Sequence, residues 1–515
     1  MREGKFVGIF YFLWHGAHEP SGPWDLSKIL QEEPNPYGPP GAFHHWAKPE
    51  LGYYRSDDPY VFEVHAEWLA AARVDVIVID VSNGHSYSEN LRVLCETWLR
   101  LRELGNPTPQ ISFLAHTDQG KVVRELFDQF YDRDKYDGLW FRWGGMPLLL
   151  ARRDLVDEEL RTKFTFRESW AWTRTEWFGD GRGKWAWLDD TPQAPGLGEA
   201  GEVEQISVAV AQHATSNKGR SYSDGKQPDE PDRKPESGIY FAEQWARALE
   251  VDPDFIFVTG WNEWVAQRFV KSSDLDPWTQ LAGRDLSWGD SIFVDAYTME
   301  YSRDIEPMEG GYGWNYYYQL VDGVRRFKGA APTEVVPAAD GIRVDGKLGE
   351  WSVFSEFRDF RGESLSRHHE GWAPGSMLVL EGKAVDFLRA LVSRDEDHLY
   401  FGIEYLPLRE KPFTLRFTLS SGEGGGDGRR IQLDIAVDRG SAAIESLPDG
   451  WGTADVGVAA TEGSLELSLN KTVLGGRHQL GFAWSDVSSS VLSNGLPIAG
   501  DEFPVSDFFF PFILP

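Results

Sequence analysis

Between residues 5 and 328, short apolar runs rich in β-branched and aromatic residues alternate with stretches whose apolar residues recur at helical spacing. That alternation limits the fold more than any other feature of the chain. The runs cover residues 5–13, 74–81, 110–115, 146–151, 164–166, 185–188, 205–211 and 255–258. The stretches between them predict helices: in residues 58–73, Val61, Val64, His65, Trp68, Leu69 and Ala72 fall on one stripe. Runs that are apolar throughout suit strands covered on both faces. Eight such strands over roughly 330 residues predict an α/β fold, a (β/α)8 TIM barrel with insertions. A doubly wound sheet is the main alternative. Polar and aromatic clusters at the carboxyl ends of the strands favour the closed ring, although no helix separates the fifth run cleanly from the sixth.

The pattern stops at residues 329–337, which are small, polar and Pro-containing and suit a linker over 331–337. Beyond it, residues 345–351, 399–404, 413–419, 431–437, 456–460, 465–469 and 480–484 predict strands with Gly, Asp or Ser at the turns and no long helix. The expected division is a barrel over 1–330 and an all-β sandwich over 338–515. Residues 420–429 predict a Gly-rich hairpin tip. They lack the strand-loop-helix setting and the Gly-Lys-Ser/Thr ending of a phosphate loop.

Asp and Glu total 81 against 51 Lys and Arg, a formal net charge of -30 that repels nucleic acid and anionic membrane surfaces. The single Cys, Cys95, excludes an intrachain disulfide and argues against a Cys-based metal site. No His-Glu-x-x-His pattern points to zinc, and no cofactor is expected. No apolar run is long enough for a bilayer. The chain enters its first strand without an apolar leader, so a cytoplasmic location is expected, and a secreted or periplasmic one if a leader has been trimmed. The 22 Trp exceed what a core of this size calls for and favour flat ligands such as sugars.

The segment Phe255-Ile-Phe-Val-Thr-Gly-Trp-Asn-Glu-Trp264 ends a buried strand in a carboxylate set between two indoles and beside an amide. Flat apolar faces, hydrogen-bonding groups and an acid or base are what a sugar site needs. Collecting the other strand ends gives Asp80, Glu168 and Asp190 as catalytic candidates beside Glu263, since glycoside hydrolysis requires a pair of carboxyl groups. Asp80 is the first choice of partner and Asp190 the reserve. Trp14, His15, Asn83, His116, Trp170 and Trp172 are candidates for holding substrate, as are His213, Asn262, Trp264 and Arg303. Arg303, with Asp304 and Glu306, equally suits an ion-pair network that locks the long loop after the eighth strand.

Trp261-Asn-Glu-Trp264 on a final barrel strand resembles the corresponding segment of the family 99 glycoside hydrolases and the related family 71 and WbsX-like proteins. The resemblance covers residues 5–328. It implies a barrel enzyme acting on glycosidic bonds, with the Glu of this segment assisting at the sugar 2-hydroxyl and a second Glu three residues later as acid/base. Glu263 matches the first. The second position is Ala266, so the partner carboxylate has to come from another strand. Asp345-Gly-Lys-Leu-Gly-Glu-Trp351 resembles the opening strand of family 9-like carbohydrate-binding modules and DOMON-like sandwiches. The expected function is a glycoside hydrolase acting on an oligo- or polysaccharide. A WbsX-like glycosyltransferase and a non-catalytic carbohydrate-binding protein are the alternatives.

Overall fold

The computed structural model describes residues 2–17, 24–26, 38–274, 276, 278–293, 295–330, 332–362, 366–380, 383–421, 429–488, 501–504 and 509–514. The chain divides into two compact units. The first is Met1–Arg102, Pro107–Ala330 and His369–Leu378; the second is Glu103–Asn106, Ala331–His368 and Val379–Pro515.

In the first unit the apolar runs build one mainly parallel sheet. Its parallel strands are β1 (Phe6–Tyr11), β2 (Val76–Val81), β3 (Gln110–Ala115), β4 (Met146–Leu150), β5 (Thr165–Arg167), β6 (Val203–Ala209) and β7 (Phe255–Thr259). The order is β5-β4-β3-β2-β1-β7-β6. The first strand therefore pairs with both the second and the last, Ile9 standing opposite Ile77 on one side and Val258 on the other. Gly8 makes room in β1 for the Phe255 ring, which a Cβ there would strike. The helices are α1 (Pro59–Ala71), α2 (Ser88–Glu103), α3 (Gln119–Leu126), α4 (Ile239–Val251) and α5 (Asn315–Lys328). Asp58 starts α1 by accepting the Tyr60 N–H at 3.1 Å. Among the described residues no helix is long and apolar enough to cross a membrane.

The expected ring of eight strands is not completed. Residues 185–188, expected as the sixth strand, belong to a stretch held to the residues after β5 by isolated parallel bridges, Glu168 to Lys184 and Ala171 to Leu188. Gln205 of β6 reaches that stretch with its side chain, Nε2 donating to the Ala186 carbonyl at 2.8 Å. The residues explain the lapse. Gly179, Gly181 and Gly183 all turn at positive φ, and Pro192 and Pro195 offer no N–H to a ladder. The result is an α/β unit with a curled, unclosed sheet, and the carboxyl ends of its seven parallel strands lie along one edge.

Among its described residues the second unit has two large sheets. One has five antiparallel strands, with Val385–Arg394 paired to both Ser355–Arg358 and His398–Pro407, and then Ser464–Asn470 and Val456–Ala460. The other has seven and is centred on Phe413–Ser421, between Arg429–Asp438 and Gln479–Asp486. Both contribute to one apolar core, with Phe387, Phe401, Phe417, Phe482 and Trp484 fully buried. Glu334–Val335, in the expected linker, is an edge strand paired with the end of the chain, and Val336 is buried in that core. The tip at 422–428 lies outside the described residues. Residues 345–351 are not a strand. They make a tight turn with a 3-10 segment at Leu348–Glu350, because the buried Glu466 accepts the N–H groups of Asp345 and Gly346 and the Trp351 indole.

Candidate active site

β7 is buried throughout and leads into Gly260, where a Cβ would stand 2.9 Å from Asp304 Oδ1. The chain can turn there only without a side chain. The Glu263 N–H then donates to that same Oδ1 at 2.8 Å, so the carboxylate of the loop fixes the residue on the strand end. Asn262 is turned inward: it accepts the Phe12 N–H at 2.9 Å, donates to the Phe12 carbonyl at 3.1 Å, and reaches the Tyr54 hydroxyl at 3.2 Å. Trp264 is fully buried, stacked on Trp46 at 4.7 Å, with its indole N–H on Glu306. Glu306 also accepts the Tyr54 hydroxyl at 2.7 Å and meets His65 at 3.0 Å. Asn262 and Trp264, expected to hold substrate, are thus consumed in a buried polar network beneath the turn.

Glu263 itself opens into a cleft of about 670 Å³, a size that accommodates a ligand of several sugar-like rings. Trp14, Phe43 and Trp278 give it aromatic walls, and Asp80, Asn83 and Asp295 its polar ones. Asp80 and Asn83 come from the end of β2, Trp14 follows β1, and Asp295 lies on the long loop after β7. Ala266 also lines it.

Three carboxyl groups share this cleft, and one guanidinium links two of them. Arg303, only 3% exposed at its side chain, donates from Nη2 to Asp295 Oδ1 at 2.8 Å and to Glu263 Oε2 at 3.4 Å. Because one nitrogen serves both, the two oxygens stand no further apart than those distances laid end to end. The guanidinium also lies 5.4 Å above the Trp187 ring. Burial pushes the Glu263 carboxyl well above its ordinary range, Asp295 and then Asp304 and Asp80 add to this, and Arg303 only partly offsets it. Asp295 goes the other way. Partial burial raises it, but Arg303 and His213 outweigh that and hold it below the usual carboxylate range. Burial pushes Asp80 up to about 6 against the Ser82 hydrogen bonds. The cleft therefore holds a proton-retaining carboxyl beside an ionised one, the division of labour that acid/base chemistry on one substrate requires.

Of the residues picked from the sequence, the cleft gathers Glu263, Asp80, Asn83 and Trp14, with Arg303 beneath them. The others stand elsewhere. Glu168 is paired with Lys184, and Asp190 with Lys218 at 2.8 Å. His116 stacks on the half-exposed Trp170 at 3.9 Å. Trp172 gives its indole N–H to Gln212 at 3.0 Å. His213 accepts the Thr215 N–H at 3.1 Å, and its Nε2 stands 3.4 Å from the Asp295 backbone nitrogen. His15 is 2% exposed, stacked against Trp14 and bonded to Ser56 at 3.2 Å.

Asp295 was missed. Its only signal in the sequence is its place on the loop that must leave the catalytic edge; its backbone stands at φ +69, and Arg303 holds its carboxylate in the cleft. Arg220 was missed too: it is fully buried against Tyr312 and Tyr316 and bonds Ser302 and the Asp304 carbonyl, which fixes the loop carrying Arg303. Among the described residues no group of three His, Cys, Asp or Glu is placed to hold a metal ion.

No family model matches the chain, and no curated protein matches it. Among solved structures it is similar to a GH99 endo-alpha-mannosidase from Bacteroides thetaiotaomicron, at 16% identity over 63% of this chain and 98% of that one, with a TM-score of 0.37. The same enzyme in complex with bis-tris-propane aligns at 15% identity over 63% and 97%, with a TM-score of 0.34.

Proposed function

We propose that the protein is a glycoside hydrolase in which Glu263 and Asp295 act as the carboxyl pair. The observation that carries this reading is the single Arg303 nitrogen bonded to both carboxyls at the floor of an aromatic-walled cleft. Glu263, which keeps its proton, protonates the leaving oxygen as the glycosidic bond breaks. Asp295, held ionised, faces the anomeric carbon. Inverting enzymes separate their carboxyls by about 6.5–9.5 Å to admit a water, whereas retaining ones hold them about 5–5.5 Å apart. Oxygens tied to one nitrogen at 2.8 and 3.4 Å fall on the retaining side. Asp295 then forms a glycosyl ester, and water cleaves it while Glu263 takes up the water's proton. Asp80, in the same cleft, supports Glu263: its charge adds to the rise in the Glu263 carboxyl.

Residues 338–515 are proposed as an all-β domain of carbohydrate-binding-module type, for which two sheets around one apolar core speak. A non-catalytic sugar-binding protein is the second reading, favoured by Ala266, which lines the cleft where the family 99 pattern has a Glu.

Incubation with a panel of aryl glycosides and natural oligosaccharides, with and without nucleotide sugars, tests the proposal. Hydrolysis without nucleotide sugar supports it. Binding without turnover across the panel favours the second reading, and turnover only with a nucleotide sugar makes the protein a glycosyltransferase.

A further inference from the structure

Trp288 is 66% exposed, and among the described residues no large apolar side chain is more so. It is nonetheless held in place. Its indole N–H donates to Asp274 Oδ1 at 3.1 Å, which satisfies the ring's one polar atom and leaves most of the ring to water. The turn that carries it is fixed on both sides. Asp290 accepts the Ser287 N–H at 2.9 Å and Arg284 Nη1 at 2.7 Å. The Gly289 N–H donates to the Lys271 carbonyl at 2.8 Å, and the Lys271 N–H to the Asp290 carbonyl at 2.9 Å. Gly289, at φ +90, makes the turn possible. These bonds continue the pairing of the strands Val265–Val270 and Ser291–Phe293 past Val270 and Ser291.

The strand Val265–Val270 is also a wall of the cleft. Val265, Ala266, Gln267 and Phe269 line it, as does Trp278, whose ring meets Phe269 at 5.4 Å and whose carbonyl accepts the buried Lys271 Nζ at 3.0 Å. Two residues of extended chain, about 7 Å, separate Lys271 from Phe269. The turn bearing Trp288 is bonded to Lys271, so it stands within reach of a glycan that continues out of the cleft. A single exposed ring between the exposed Ser287 and Gly289 is too small for a protein or lipid surface. It matches one sugar ring, and the Asp274 carboxylate at its edge disfavours an anionic sugar. We propose that Trp288 is an outer sugar subsite, the platform on which a neutral glycan held at Glu263 and Asp295 rests one of its further rings. The inference rests on the sugar reading of the cleft and adds a length requirement to it: a glycan too short to reach Trp288 gains nothing from that ring.

Exposure makes Trp288→Ala a fair test, because replacing a surface side chain costs the fold little. Binding to a ladder of neutral gluco-, manno- and galacto-oligosaccharides, from disaccharides upward, is compared in Glu263→Gln and in the same protein with Trp288→Ala. The alanine variant is expected to bind the longest members about fivefold to tenfold more weakly and the shortest equally. In parent protein labelled with 5-fluorotryptophan, the Trp288 signal is identified from its loss in Trp288→Phe. That signal is expected to move when a long member binds and to stay in place when a short one does. Equal binding at every length, an equal weakening at every length, or a Trp288 signal unmoved by a long bound chain overturns the proposal and leaves the sugar reading of the cleft standing. If the parent binds no member of the ladder, the sugar reading itself fails, and the outer subsite falls with it.

Discussion

The backbone N–H of Glu263 donates to Oδ1 of Asp304 at 2.8 Å. Burial pushes the Asp304 carboxyl up to about 6, and its other oxygen has no hydrogen-bond partner among the described residues. An amide can therefore replace the acid without losing the one bond that matters. Asp304→Asn is expected to keep activity within about threefold of wild type, because it still accepts the Glu263 N–H. Asp304→Ala should lose about tenfold or more and about 1–3 kcal/mol of stability, the cost of a buried N–H left unpaired. Steady-state kinetics and urea unfolding of the two variants check this, and equal behaviour would remove Asp304 from the account.

Asp80 offers a pH test. Its charge is one of the causes that raise Glu263, after burial, Asp295 and Asp304. Removing it with Asp80→Asn should move the alkaline limb of the kcat/KM profile toward lower pH, since Glu263 would then release its proton more readily. A limb that stays in place would mean that Glu263 does not set it.

The same residue makes a stability prediction. Its carboxyl titrates at 3.8 when free and about 6 in the fold. Between those values the folded state binds more protons than the unfolded one, so this group's contribution to stability falls as pH rises through the window and stays low above it. Asp80→Asn abolishes the loss. Urea unfolding should show the variant gaining on wild type by on the order of 2 kcal/mol between about pH 4 and pH 7, and a gain at the acid end would contradict the sign.

Asn262 is expected to matter for folding rather than for sugar contact. Asn262→Ala leaves both the N–H and the carbonyl of Phe12 without their side-chain partner. A loss of about 1–3 kcal/mol in urea unfolding is expected. A fully stable variant that has lost only substrate affinity would return Asn262 to the cleft.

The strands at 76–81 and 255–259 were legible because every residue of Val76–Ile79 and Phe255–Val258 is apolar and both faces are covered. Glu263 and Asp80 were legible for the same reason: a carboxylate that follows such a run stands at the strand's open end. The ring failed at residues 185–188, where Trp185, Ala186 and Leu188 are buried without forming a strand ladder. Burial alone makes a short run apolar, and nothing in four residues separates a strand from a packed turn. Asn262 and Trp264 look like substrate groups because their partners, Phe12, Tyr54 and Glu306, are distant in the chain. Asp295 was illegible on the same ground: it reaches the cleft only through a loop whose path is set by Arg303 and Arg220.

Turnover of Glu263→Gln and Asp295→Asn on whichever panel substrate the wild-type protein hydrolyses tests the pairing most directly. Both substitutions keep the side-chain shape and remove the titrating group. Each should lower kcat by at least about a hundredfold while circular dichroism and thermal unfolding stay cooperative, and the wild-type product should be released with retained anomeric configuration. Near wild-type turnover in Asp295→Asn, or an inverted product, would contradict the pairing of these two carboxyls.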